Sequence, residues 1–157
     1  MITHNVRIAK DNDFNGIMAF LRQLNPEDPM IGDGRDKAAF DEILRNPNLY
    51  IFVVEKDDRI ISTCYLNIIP NLTRNAAPYA VIENVVTDSA MRNQGFGKAV
   101  VLAALDDAWQ AGCYKVMLQT GSKRESTHHF YRSCGFVEGE RFAFIVKPPN
   151  QPHENSD

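Results

Sequence analysis

Residues 92–98 read Arg92-Asn93-Gln94-Gly95-Phe96-Gly97-Lys98, and their types and spacing suit them to hold a phosphorylated ligand. Two glycines separated by one residue let main chain approach a ligand with no Cβ in the way. An amphipathic helical pattern runs on from about Gly97 to Ala111, so unpaired N–H groups and a positive dipole end face the same place. These parts make a pyrophosphate cradle of main chain. Two other phosphate loops are excluded. A dinucleotide fingerprint needs a third glycine where Val100 stands, and a P-loop needs Gly-Lys-Ser/Thr where Ala99 follows Lys98. The alternative is a glycine-rich turn without a ligand. Glu83 is the second chemical position. It interrupts a run of apolar and small residues (Ala80, Val81, Ile82, Val85, Val86), where a carboxylate buried without partners is costly. It therefore has a partner or faces a cleft. The choices are a base or substrate contact, a glutamate solvated at a strand edge, or one paired with an arginine.

The elements that must position these residues follow from periodicity and turn chemistry. Val6 to Ala9 reads as a strand. Asp11 or Asp13 can cap a helix carrying Phe14, Ile17, Met18, Leu21 and Leu24 at the helical period. Residues 25–34 hold two prolines and two glycines and form a loop. A second helix spans about Asp36 to Arg45 and ends at Asn46-Pro47. Leu49 to Glu55 and Ile60 to Ile69 flank the polar turn Lys56-Asp57-Asp58-Arg59 and pair as a hairpin. After a loop over 70–78, Tyr79 to Thr87 forms the strand that enters the glycine loop. The helix beyond buries Val101, Leu105, Ala108 and Trp109 and stops at Gly112. Tyr114 to Gln119 is a short strand, linked back to Tyr79–Thr87 as a right-handed βαβ unit. A last helix covers 125–133, and Phe136 to Val137 and Arg141 to Val146 are closing strands. From Pro148 to Asp157 the composition is that of a polar, frayed tail.

At 157 residues the chain reads as one domain over 1–147 with a real core. Its hydrophobic content of 44% and charged content of 24% are those of a globular protein. A net charge of -3 supplies no basic excess, which argues against nucleic acid as the main partner. No apolar run reaches the length of a membrane span, and the N-terminus lacks the plan of a signal peptide. Three cysteines without Cys-x-x-Cys spacing read as free thiols of a reducing cytoplasm. His128 and His129 are adjacent and point in different directions, so no metal site is expected. Cys134 has no histidine–acid set to make it a nucleophile.

The run Arg-x-x-Gly-x-Gly, entered from a strand and left into a helix, resembles the acetyl-CoA pyrophosphate loop of the GCN5-related N-acetyltransferases (GNAT). His129-Phe130-Tyr131-Arg132-Ser133-Cys134-Gly135-Phe136 is similar to that family's Phe-Tyr-x-x-x-Gly-Phe segment. The element order β, α, α, β, β, β, α, β, α, β matches its fold over about residues 5–147. On two independent matches in the right order, the chain is identified as a member. The resemblance implies an α/β fold with a mixed, mostly antiparallel central sheet, splayed at the central strand and flanked by helices. It implies acetyl-CoA as cosubstrate, no metal, and direct transfer of the acetyl group to a primary amine. Arg92, Asn93, Gln94, Gly95, Phe96, Gly97 and Lys98 would bind the pyrophosphate. A β-bulge near Asn84–Val85 would free main-chain groups. An N–H of Val85 or Val86 would polarise the thioester carbonyl, and Val85 and Thr87 would receive the pantetheine arm as another strand would.

An alkyl amine has a pKa of about 10.4 and is almost wholly protonated at neutral pH, so a positioned base is useful. The resemblance gives that role to Glu83, acting on the amine through water. It gives Tyr131 the task of serving the leaving thiolate. One departure stands out. The family's asparagine seven residues before that tyrosine and its alanine four before it are here Arg124 and Thr127. Arg124, with Lys123, could reach the coenzyme's phosphates or an anionic substrate, or be a solvated helix start.

The acceptor is less legible. Glu27, Asp28, Asp33, Asp36, Asp41 and Glu42 outnumber Arg35 and Lys37 around the first loop, which favours a cationic amine or simply solvates the loop. Asn71, Thr73 and Arg74, before the central strand, and Asn84 within it are candidate substrate contacts. Gly112-Cys113-Tyr114-Lys115 with the Phe-Tyr ending looks most like glucosamine-phosphate acetyltransferases, although the segment between is longer and lacks that group's acidic pair. The Lys123-Arg124…Phe130-Tyr131 spacing looks more like aminoalkylphosphonate acetyltransferases. A small-molecule amine is thus expected. The alternatives are a protein lysine or N-terminal acetyltransferase, or a non-catalytic acetyl-CoA sensor. The family's habit of pairing through C-terminal strands points to a homodimer, with Arg141–Val146 at or beside the interface.

Overall fold

The computed structural model describes residues 4–28 and 32–149. It comprises two compact units, Met1–Lys123 and Arg124–Asp157. The first holds β1 (Val6–Ile8), α1 (Phe14–Leu24), α2 (Arg35–Arg45), β2 (Leu49–Lys56), β3 (Arg59–Ile69), β4 (Tyr79–Thr87), α3 (Phe96–Gln110) and β5 (Val116–Leu118). The strands form one sheet in the order β1-β2-β3-β4-β5. The first four are mutually antiparallel and β5 runs parallel to β4. This is the mixed, mostly antiparallel α/β architecture expected. Asp57 and Asp58 both take left-handed φ, 51° and 56°, the geometry a two-residue hairpin turn needs between β2 and β3.

Each face of the sheet is covered by helix. On one, Ile17 of α1 and Phe40 of α2 join Ala9, Ile51 and Val53 in a buried cluster, with Phe14, Leu21, Ile43, Leu44, Ile60 and Tyr65 packed around it. On the other, the Cys64 thiol donates to the Val100 carbonyl at 3.6 Å, which places α3 against that side. The buried stripe of α3 is Gly97, Val100, Val101, Ala104 and Ala108. Trp109, expected in the core, is instead 51% exposed. The helix is apolar nearly all round, so periodicity alone cannot say which edge of its stripe is covered. None of the helices described is long and apolar enough to cross a membrane.

Asp13 also departs from expectation. It makes no capping bond to α1 and instead lies buried against β1. Its carboxylate accepts from Arg7 Nη1 at 2.6 Å and Nη2 at 2.9 Å, and from the Lys10 N–H at 2.7 Å. Arg7 Nη2 also donates to Glu55 at 2.6 Å, so one guanidinium ties β1, the start of α1 and β2. A bidentate arginine pair satisfies this buried carboxylate better than a single helix N–H could.

The second unit contains α4 (Glu125–Ser133). Phe136–Val137 and Arg141–Val146, expected as closing strands, form no strand. Gly135 and Gly139 take left-handed φ of 97° and 82°, which turns the chain on both sides of residues 136–138. Phe142, Phe144 and Val146 are 88%, 96% and 90% exposed, so their alternation buries none of them. An apolar alternating pattern becomes a strand only where a ladder partner satisfies its backbone. Most of the polar tail, from residue 150 onward, lies outside the described residues, as do residues 29–31 of the first loop.

Arg7 holds the Asp13 carboxyl below its ordinary range, first by hydrogen bonding and against the opposing effect of burial. The folded pKa thus lies below the unfolded one. The pair stabilises fully above about pH 4 and loses its contribution as pH falls through the folded value. Asp13→Asn should cost about 1–3 kcal/mol at pH 7 and much less near pH 2. Thermal unfolding across that range checks it; an equal cost at both ends would contradict it.

Candidate active site

Strand β4 is irregular at the point where the chemistry is expected. It pairs with β3 through Thr63↔Val86 and Tyr65↔Glu83, so Asn84 and Val85 together oppose the single residue Cys64. This is a β-bulge, and Asn84 supplies its bend with a left-handed φ of 52°. Asparagine tolerates that region better than most side chains. On its other side β4 meets β5 only through Ala80–Ile82. From Glu83 to Thr87 that side carries no described strand. Main-chain donors and acceptors are therefore available along one edge of β4, beginning beside a carboxylate.

The residues follow one another along the chain. Glu83 is exposed on β4, Val86 is buried, and Val85 and Thr87 are half-buried. The Thr87 hydroxyl meets Ser62 Oγ at 2.8 Å. Asp88 then tightens the exit from the strand by accepting from the Ala90 N–H at 2.9 Å. Arg92 is exposed and reaches back, its Nε donating to the Thr87 carbonyl at 3.3 Å. Asn93 has a left-handed φ of 62°, and exposed Gln94 donates from Nε2 to the Ala90 carbonyl at 3.4 Å. Gly95 begins α3 with φ 86°.

At Gly95 a Cβ would stand 3.1 Å from His4 Nε2, a tight approach that adds to the preference for glycine set by the left-handed φ. The His4 ring lies 4.2 Å, centroid to centroid, from that of Phe96, and Lys56 Nζ lies 5.8 Å from the same ring. Phe96 and Gly97 are buried while Lys98 is exposed. The Ala99 N–H closes on the Gly95 carbonyl at 2.9 Å. The N–H groups of Phe96, Gly97 and Lys98 precede that first helical bond and point from the helix end. The arrangement can hold an anionic diphosphate at the end of β4 and pair an extended amide-bearing chain along its free edge.

The loop entering β4 is tightly wound. Arg74, Asn75 and Ala76 take consecutive left-handed φ of 57°, 59° and 59°. Asn71 Nδ2 holds the turn by donating to the Thr73 carbonyl at 2.9 Å, to Thr73 Oγ1 at 3.0 Å and to the Ala77 carbonyl at 3.3 Å. The amide of Asn71 thus has a structural task. Arg74 lies 5.8 Å from the centroid of the Tyr114 ring, and Lys115 Nζ lies 5.4 Å from those of both Tyr79 and Tyr114. Two cations are gathered beside the start of β4.

In the second unit Arg124 precedes α4, its carbonyl accepting from Thr127 at 3.0 Å and His128 at 3.3 Å. Tyr131 is half-buried, with ring centroids of Phe130 and Phe136 at 5.1 and 6.3 Å. Tyr131 thus lies on α4 and Arg124 immediately before it, both in that unit. Among the described residues no cluster of histidine, cysteine or acidic side chains could hold a metal ion.

Local spacing did not reveal His4 or Tyr65. His4 meets the glycine loop only through the fold, and Tyr65 faces Glu83 only through the β3–β4 register. That register runs unbroken from Ile69↔Tyr79 to Tyr65↔Glu83, and the one-residue slip follows it at Asn84–Val85, where the family resemblance placed the bulge.

Residues 17–136 match the model of the Acetyltransferase (GNAT) family. A glucosamine 6-phosphate N-acetyltransferase of Trypanosoma brucei brucei is 28% identical over 138 residues, covering 87% of this chain and 90% of the relative. A solved Agrobacterium tumefaciens structure, named provisionally as an acetyltransferase, is 42% identical with a TM-score of 0.86, covering 92% of this chain and 99% of that one. The solved glucosamine-6-phosphate N-acetyltransferase of Arabidopsis thaliana is 28% identical with a TM-score of 0.80, covering 94% and 99%.

Proposed function

The chain belongs to the acetyltransferase (GNAT) family, and on that footing we propose that it transfers the acetyl group of acetyl-CoA directly to the primary amine of a small molecule, with a phosphorylated amino sugar as the favoured acceptor. The observation that carries this reading is the bulged β4, which sets Glu83 next to an unpaired strand edge that leads straight to the glycine loop. The names of the relatives support the acceptor class. So do Arg74 and Lys115, whose two positive charges beside β4 suit a phosphate group.

In this reading the pyrophosphate of acetyl-CoA sits on main-chain N–H groups of residues 93–98, with Arg92, Lys98 and Arg124 adding charge. The pantetheine amides pair with Val85 and Thr87. An N–H of Val85 or Val86 hydrogen-bonds the thioester oxygen as it gains negative charge. Glu83 takes a proton from the ammonium, through water, and the freed amine attacks the carbonyl carbon. The C–S bond breaks, the second proton of the attacking nitrogen is lost to water, and the departing thiolate, hydrogen-bonded by Tyr131, takes up a proton from solvent; a free phenol, with a pKa of about 10, is a weak donor to a thiolate. Asn84, Thr73 and Arg74 contact the acceptor, and Asn71 holds their loop. Residues 1–147 serve as one catalytic domain.

The side chains of Cys64, Cys113 and Cys134 are all buried, which suits a reducing cytoplasm. We also propose self-association, because the exposed apolar run Phe142–Val146 is surface that a second copy would cover. A monomer mass by light scattering at high micromolar concentration would contradict it.

Gly97→Val places a branched side chain where the diphosphate approaches. It should abolish acetyl-CoA binding by calorimetry while far-UV circular dichroism stays native; a folded variant that binds normally puts the cradle elsewhere. Thiol release from acetyl-CoA across glucosamine 6-phosphate, an aminoalkylphosphonate, a polyamine and a lysine peptide tests the acceptor. The sugar phosphate should give the highest kcat/KM. Binding without turnover on any amine would favour a sensor. Glu83→Gln should lower turnover most at neutral pH and recover partly at high pH, where the amine deprotonates unaided. Tyr131→Phe should lower it without that recovery. Flat responses in both would leave positioning as the whole source of rate.

A further inference from the structure

Basic side chains gather around the start of α3. Arg92 and Lys98 belong to the glycine loop and the first turn of the helix, and both are exposed. Two more basic groups come from outside the loop. Lys56 ends β2, and the antiparallel register that pairs Val6 with Val54 carries His4, just ahead of β1, to the level of Lys56. Both flank the Phe96 ring, the His4 ring centroid at 4.2 Å and Lys56 Nζ at 5.8 Å from its centroid. His4 also reaches the loop itself, with Nε2 3.1 Å from the position a Cβ on Gly95 would take. Among the described residues none of His4, Lys56, Arg92 and Lys98 forms an ion pair. The acids beside Lys56 in the chain do not change this: Glu55 is committed to Arg7, and Asp57 and Asp58 pair with no cation among the described residues. Uncompensated positive charge around a positive dipole end attracts anions.

The diphosphate cradle uses main chain of residues 93–98 with Arg92, Lys98 and Arg124, so His4 and Lys56 stand outside it. CoA carries one phosphate more than its diphosphate, on the 3′-oxygen of its ribose. We propose that His4 and Lys56 form a subsite for that 3′-phosphate, by which the chain distinguishes CoA from its 3′-dephospho form. The proposal rests on the reading that acetyl-CoA is the cosubstrate and adds to it a phosphate contact supplied by the β1–β2 side of the sheet. The two groups suit the task in different ways. A ring N–H of the imidazole donates in either charge state, and the half-buried His4 ring is held in place against Phe96. The exposed Lys56 ammonium brings a full charge and three donors on a flexible stem, so it can follow the phosphate as it settles. A phosphate monoester carries nearly two negative charges at neutral pH and offers three acceptor oxygens, enough for both partners.

Calorimetric titration with CoA and with 3′-dephospho-CoA tests this. The two ligands differ only in the one phosphate, so a substitution that merely disturbs the loop weakens both alike and leaves the ratio of their affinities unchanged. The wild-type chain should bind CoA about tenfold more tightly than the dephospho form. His4→Phe keeps a ring on Phe96, and Lys56→Met keeps an aliphatic stem. Together they should bring the ratio to within about twofold of unity, chiefly by weakening CoA. Lys56→Met alone, at an exposed strand end, should lower the ratio about threefold and carries the test if the double variant does not fold. A wild-type ratio near unity, or a ratio that survives the substitutions, would overturn the proposal. A wild-type chain that binds neither ligand would overturn the coenzyme reading beneath it, a result distinct from failure of the subsite.

Discussion

The site depends on a strand that is only half satisfied. β4 is paired with β3 on both sides of the Asn84–Val85 bulge but keeps company with β5 for three residues alone, Ala80–Ile82. Backbone N–H and C=O groups are obligatory hydrogen-bonding groups, so an unpaired stretch of central strand must find water or a ligand. Here the unpaired stretch begins at Glu83 and ends at the turn into α3. A ligand with amides in its middle and a diphosphate at one end meets all of these needs in sequence. The geometry of β4 thus links the local backbone to the choice of coenzyme.

The rest of the first unit keeps that strand in place. Cys64 lies opposite the bulge and points away from Glu83, its thiol on the Val100 carbonyl of α3. Burial raises that thiol's pKa, so it remains a neutral packing group. α3 is therefore anchored beneath the bulge and its N-terminus emerges at the end of β4. His4 and Phe96 hold the turn from the β1 side, and the Arg7–Asp13–Glu55 cluster ties β1 to β2 and α1. Precision at the site comes from these supports, because a displaced donor loses most of its value in a transition state.

Much of this was legible in the chain, for reasons that differ by element. The β2–β3 hairpin announced itself through alternation broken by Asp57-Asp58, and α3 through its glycine entry. These are local signals. Trp109 was misplaced because an all-apolar helix does not reveal its covered edge. Asp13 looked like a cap because a carboxylate before a helix is usually one; its real partner, Arg7, acts through the fold. Phe142 to Val146 carries a strand's pattern but has no ladder, and pairing is not written in a single strand. Within the site, the glycine loop and Glu83 could be read from residue types. The bulge at Asn84–Val85 was expected from the family resemblance alone, because no spacing of side chains shows it.

The central claim is that main chain on β4 and at the start of α3 receives acetyl-CoA. The direct measurement is a titration of isotope-labelled protein with the coenzyme, following backbone amide resonances. The account predicts that the largest shifts fall on Val85–Thr87 and on Asn93–Lys98. Saturating coenzyme that leaves those amides unmoved and shifts others, such as those of α1 and α2, would contradict it.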